Sequence, residues 1–105
     1  MTYRVVVLPA ARQDADAIDR YLAEQDPRVA DRFSESLQAT LEGLRFTLPT
    51  PGIPWLSKNP ALKEIRWLKV RGFPNHLIFF RVEAGDIDVV RILHGARDIE
   101  AVLHS

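Results

Sequence analysis

The residues of this chain best equipped for chemistry are cationic, and they fall in two groups. Between Lys58 and Arg81 stand Lys58, Lys63, Arg66, Lys69, Arg71 and Arg81, with Glu64 the sole acid. The second group closes the last apolar run: Arg91, then His94-Gly95-Ala96-Arg97-Asp98. Ammonium and guanidinium groups spaced like this suit a phosphate backbone or an acidic partner through charge rather than bond-making. His94 adds a group that titrates near neutrality, so His94 with Arg91 and Arg71 is the acid/base set the chain offers. The competing reading is a strand-end histidine that hydrogen-bonds a turn. That reading is preferred, because geometry must place a base before its pKa matters.

Standard sites are absent from the pattern. There is no glycine-rich phosphate loop, metal-spaced cluster or nucleophile elbow, so neither cofactor nor metal is expected. The chain has no cysteine, which excludes disulfides and thiolate zinc sites and makes a reducing cytoplasm the expected setting. The first apolar run, Val5-Val6-Val7-Leu8, is too short for a signal peptide or a membrane span. Lys and Arg total 14 and Asp and Glu 14, so no global field draws the chain to nucleic acid. The acids gather earlier than the bases, at Asp14, Asp16, Asp19, Glu24, Asp26, Asp31 and Glu35, which leaves one surface basic. At 105 residues, 47% of them hydrophobic, the chain is expected to be one small folded domain.

The elements that must position these groups centre on residues 76–98. Two runs rich in β-branched and aromatic residues flank Glu83-Ala84-Gly85-Asp86, which is a hairpin signal. Leu77-Ile78-Phe79-Phe80 and Val89-Val90 are apolar on both faces, so these strands should be central and covered. Pairing Glu83 with Asp86 sets Arg81 opposite Asp88 and Val82 opposite Ile87. A one-step slip loses the Arg81–Asp88 pair and sets Glu83 against Asp88, so the first register is favoured by about 0.2–1 kcal/mol per pair. Arg81 is thus read as a structural partner of Asp88. Arg91, opposite Ile78 in that register, has no obvious local partner and is the leading functional candidate.

Upstream, residues 3–8 read as a short strand ended by Pro9. Ala11, Ala15, Ile18 and Leu22 mark an amphipathic helix from Ala10 to about Glu24. Asp26-Pro27 opens a second helix, with a stripe of Val29, Phe33, Leu37, Leu41, Leu44 and Leu48 and with close packing expected at Gly43. The short link makes the two helices an antiparallel hairpin. Proline-rich residues 49–60 form a loop that carries Trp55 and Leu56 inward. A strand follows at about 62–71, with a bulge or strong twist at Trp67-Leu68, and both tryptophans read as packing residues. A helix at about 98–103, capped by Asp98, closes the chain. The sum is an α+β domain: strand, helical hairpin, then a three-stranded antiparallel meander completing a twisted, mainly antiparallel sheet, and a short terminal helix.

The tract Gly72-Phe73-Pro74-Asn75-His76-Leu77-Ile78-Phe79-Phe80-Arg81-Val82, followed by Ile87-Asp88-Val89-Val90-Arg91-Ile92-Leu93-His94-Gly95-Ala96-Arg97-Asp98, resembles the RelE/ParE superfamily of bacterial type II toxins. The likeness extends over essentially the whole chain, including Pro9-Ala10-Ala11 at the first helix. The Arg91–Asp98 ending is closer to ParE-like members; Phe80 departs from the tyrosine most members carry. The resemblance implies a toxin neutralised by a cognate antitoxin, with DNA gyrase as the target in ParE-like members. In RelE-like members the target is messenger RNA cut in the ribosome. Lys63, Arg66, Lys69 and Arg71 would then face RNA, but no C-terminal tyrosine, lysine-rich tail or paired carboxylate and histidine accompanies them. The gyrase-binding, non-enzymatic reading is therefore favoured, with a ribosome-dependent ribonuclease as the alternative and a domain that has lost toxicity as a third. On the favoured reading Lys63, Arg66, Lys69, Arg71, Arg91 and Arg97 bind protein partners.

Overall fold

Pro9 ends the first strand and starts the first helix, as a residue with fixed φ and no ladder donor must. In the computed structural model, which describes residues 2–46 and 51–104, the order is β1 (Arg4–Val7), α1 (Pro9–Gln25), α2 (Pro27–Leu44), β2 (Ile53–Pro54), a 3₁₀ turn (Pro60–Leu62), β3 (Arg66–Val70), β4 (Phe73–Glu83), β5 (Asp86–His94) and α3 (Ile99–His104). The five strands lie in the order β1-β5-β4-β3-β2. β1 runs parallel to β5, and the other pairings are antiparallel. This is the expected α+β architecture. Leu48, assigned above to the apolar stripe, lies outside the described residues.

The helices begin where their caps say they should. The Asp26 carboxylate accepts from the Arg28 N–H at 3.0 Å, and Pro27 takes the first helical position. Asp98 accepts from the Ala101 N–H at 3.2 Å at the start of α3. Gly43 is not a close-packing site as expected, since a Cβ there would meet nothing within 4 Å.

Ala84 and Gly85 join β4 to β5 with φ of +46° and +89°. Positive φ at both central residues gives the two-residue turn whose twist matches the strands. Glu83 pairs with Asp86, Val82 with Ile87 and Arg81 with Asp88, the register argued from charge. Beyond Phe80 it shifts: Phe80 faces Val89, but Phe79 faces Arg91. Val90 is the extra residue of a bulge. Arg91 therefore lies opposite Phe79, not Ile78, because an unforeseen bulge moves the pairing by one.

Two further boundaries differ from expectation. The strand expected from 62 begins at Arg66, because Asn59 accepts from the Ala61 N–H at 3.0 Å and winds Pro60–Leu62 into a 3₁₀ turn. The irregularity expected at Trp67-Leu68 lies between Lys69 and Val70. The proline-rich loop contributes β2, paired to β3 at the sheet edge, where a missing proline N–H is tolerated. Gly52 in that loop has φ +71°, and a Cβ would lie 2.7 Å from the Phe80 ring.

Both faces of the central strands are covered. Phe33, Leu37, Leu41 and Leu44 of α2 pack with Ile78, Phe80, Ile87, Val89 and Ile92. On the opposite face Leu62, Ile65, Phe79, Leu93 and Ile99 form a second cluster joined by Trp55, Trp67 and Val102. Phe33 is 1% exposed and Leu37 8%. Truncating either to alanine removes apolar contact and leaves a cavity. We expect Phe33→Ala and Leu37→Ala each to destabilise the fold by about 2–5 kcal/mol. Denaturant midpoints equal to the parent's would place this stripe outside the core.

Candidate functional site

The bulge in β5 decides what Arg91 does. Its Nε and Nη2 donate to the two oxygens of Asp14 on α1 at 2.7 and 2.8 Å, and the same carboxylate accepts from the Ile92 N–H at 3.0 Å. The side chains are 24% and 11% exposed. The hydrogen bond to Asp14 holds the Arg91 guanidinium above its ordinary pKa, against the effect of burial. The arginine that lacked a local partner in sequence is thus paired 77 residues away.

The basic tract also divides. Arg66 donates from Nε to the Pro51 carbonyl and from Nη2 to the Gly52 carbonyl at 3.0 Å, stapling the proline-rich loop to the sheet. Lys63, Lys69, Arg71 and Arg97 are exposed and form no ion pair among the described residues. The Arg71 N–H donates to Thr40 Oγ1 at 3.1 Å, which fixes the β3–β4 turn against α2 while leaving the guanidinium outside. Arg97 follows β5, and its N–H donates to the His94 carbonyl at 3.1 Å. The expected Arg81–Asp88 ion pair does not form, although the two residues oppose each other in the ladder.

His94 is exposed, and its Nδ1 accepts from the Ala96 N–H at 3.0 Å, the turn-bonding arrangement preferred above. His76 stands opposite it with ring centroids 5.1 Å apart, and packs edge-on against Phe33 at 5.0 Å. Burial first, and the neighbouring His94 second, push the His76 pKa below its ordinary 6.5.

Two features escaped the sequence. Glu100 on α3 accepts from Trp55 Nε1 at 2.8 Å and from the Ser57 hydroxyl, and these bonds hold its carboxyl below the usual range. With Asn59 Nδ2 2.7 Å from His104 Nδ1, they clamp α3 onto the loop. The second is an open groove of about 830 Å³ between β1 and the helical hairpin, lined by Tyr3, Val5, Arg12, Ala15, Leu37 and Leu41 among others. Among the described residues β1 pairs only with β5, so its outer edge runs beside this groove with its ladder unused. No group of three or more His, Cys, Asp or Glu side chains suited to a metal exists among the described residues. No helix among them is long and apolar enough to cross a membrane.

A helical hairpin packed on this sheet is the fold expected from the resemblance to the RelE/ParE superfamily of type II toxins. The family described as the ParE toxin of the type II toxin–antitoxin system parDE matches residues 5–99. A Caulobacter vibrioides protein named Toxin RelE1 is 33% identical over 95 residues, spanning 90% of this chain and 96% of its own. A solved chain from the chromosomal ParDE toxin–antitoxin system of P. aeruginosa superposes with a TM-score of 0.69 at 21% identity, covering 89% of this chain and 96% of the other. The chain belongs to the ParE toxin family of type II toxin–antitoxin systems.

Asp14→Asn keeps the shape but removes the charge that Arg91 meets. Charged hydrogen bonds of this kind contribute about 1.5–3 kcal/mol each, part of which the amide oxygen retains. We expect a net loss of about 1–3 kcal/mol by chemical denaturation, and stability equal to the parent would show the pair to be dispensable. His76 is a base whose folded pKa is lowered, so its contribution to stability is full above pH 6.5 and is lost as the pH falls from there through the lower folded value. His76→Phe should flatten that acid-side fall in a melting series across pH 7 to 5, whereas an unchanged slope would assign the fall to other groups.

Proposed function

We propose that this ParE-family toxin arrests growth by binding DNA gyrase, acts without cutting RNA, and is silenced by a cognate antitoxin. One observation carries the non-enzymatic reading: Arg91, one of the three residues of the acid/base set, is already engaged by a carboxylate of its own chain. Arg91 is held by Asp14, and His94 uses Nδ1 on its own turn. Arg71, exposed on the β3–β4 turn, supplies charge but no proton transfer near neutrality. Phosphate contacts from Lys63, Lys69 and Arg71 would position a nucleic acid without cleaving it.

For the antitoxin, the groove beside β1 supports the mode of binding. An extended segment can add a strand to the unused β1 edge while an apolar helix face fills the groove, giving affinity through apolar anchors. Acidic residues of the same segment would be steered by the exposed bases, which raises the rate of encounter. The ribonuclease reading keeps one specific support, the 33% identity to the protein named Toxin RelE1.

Purified toxin tests the choice in two parallel reactions. We expect it to inhibit supercoiling of relaxed plasmid by gyrase and to leave messenger RNA intact in programmed ribosomes. Cut messages with supercoiling untouched would move the toxin to the ribonuclease class. Neither effect would leave a domain that binds its antitoxin alone.

A further inference from the structure

Arg81 stands two residues before the end of β4, half-buried, with its Nε atom shielded from solvent and without a hydrogen-bond partner. A buried N–H without an acceptor is costly, and a carboxylate placed there would supply one. The obvious internal anion, Asp88, forms no ion pair with it, and the neighbouring Arg91 already has Asp14. Arg81 lines a cleft of about 310 Å³ on the α3 side of the sheet. Around it lie Leu8, Ile65, Val90, Val102 and Leu103, with Arg91 and His104 also on the lining and no carboxylate among the lining residues. The His104 Nδ1 is occupied by Asn59. The cleft therefore combines an apolar wall with one unpaired cationic fork.

We propose that this cleft is a carboxylate-binding subsite that takes an acidic residue flanked by apolar ones, from a peptide segment of the partner protein. The planar guanidinium matches a carboxylate through two parallel hydrogen bonds, and the apolar wall receives the flanking side chains. Such a wall does not suit a hydrated nucleic-acid backbone, whose contacts are polar throughout. The peptide source follows from position. Leu8 and Ala10 line the cleft, while Val7 and Arg12 line the groove beside β1. The two concavities thus border the β1–α1 link without sharing a lining residue, and a disordered segment that wraps the toxin can cross that link from one to the other. This assignment rests on the antitoxin-bound toxin of the preceding reading and adds a second, charge-specific anchor to it.

The test follows the Arg81 Nε–H resonance of the ¹⁵N-labelled full chain during titration with N-acetyl-leucyl-aspartyl-leucinamide. We expect a saturable shift at Arg81 and at the Val90 and Val102 methyls. The asparaginyl counterpart should bind at least about tenfold more weakly, as loss of a charged hydrogen bond requires. Arg81→Lys keeps the charge but not the fork and should weaken the aspartyl peptide by about tenfold. No shift at Arg81, or equal binding of the asparaginyl peptide, would overturn the proposal. So would 4-methylpentanoate binding as tightly as the tripeptide, which would make the site one for free carboxylates. A thymidine dinucleotide producing the same shifts would reassign it to phosphate. No gyrase enters these titrations, so the subsite and the gyrase reading fail separately.

Discussion

A single carboxylate, Asp14, accepts three hydrogen bonds from two adjacent residues of β5, and the rest of the architecture depends on that junction. It fastens α1 to the strand that lies between β1 and β4, at the place where the β4–β5 ladder shifts register. A bulge leaves ladder groups without their usual partners. Asp14 binds just past this one, accepting from the Ile92 N–H and neutralising the arginine beside it. The helical hairpin thereby gains a polar fastening on a face otherwise held by apolar burial.

The double covering of β4 and β5 shapes what the toxin has left for recognition. Phe80, Ile87 and Val89 face the helices, while Phe79 and Leu93 face α3 and the loop. With most of both faces occupied, binding falls to the sheet's outer edge, to the groove beside it, to the cleft on the α3 side, and to side chains at strand ends and turns. The exposed bases are of this last kind. Lys69 sits at the end of β3, Arg71 on the turn that follows and Arg97 on the turn after β5. They stand on strand ends and turns and make no ion pair among the described residues, which suits steering better than bond chemistry.

Much of this was legible from local signals. The Glu83–Asp86 turn with its register, the Asp26-Pro27 helix start and the α2 stripe each follow from residues within a few positions of one another. What sequence could not supply is partnership at a distance. Arg91 looked free because Asp14 lies on a helix 77 residues earlier, and Arg66 looked like a surface base because its acceptors are carbonyls of a loop. Arg81 erred the other way: its neighbour across the ladder was correct, but opposition in a ladder does not oblige two side chains to meet. The groove beside β1 carries no motif at all, since it arises from how three elements pack.

The position of β5 has a consequence for the order of events during synthesis. β1 leaves the ribosome before the other described strands, yet its only partner among them is β5, and Arg4 meets Asp86 across 82 residues of chain. Pairings so far apart in sequence form late, since the loop between them must close before any bond rewards it. Until β5 emerges the nascent chain has neither the junction with Asp14 nor a place for β1. The sheet therefore stays unfinished until β5 has been made, when that strand slides between the first and the fourth.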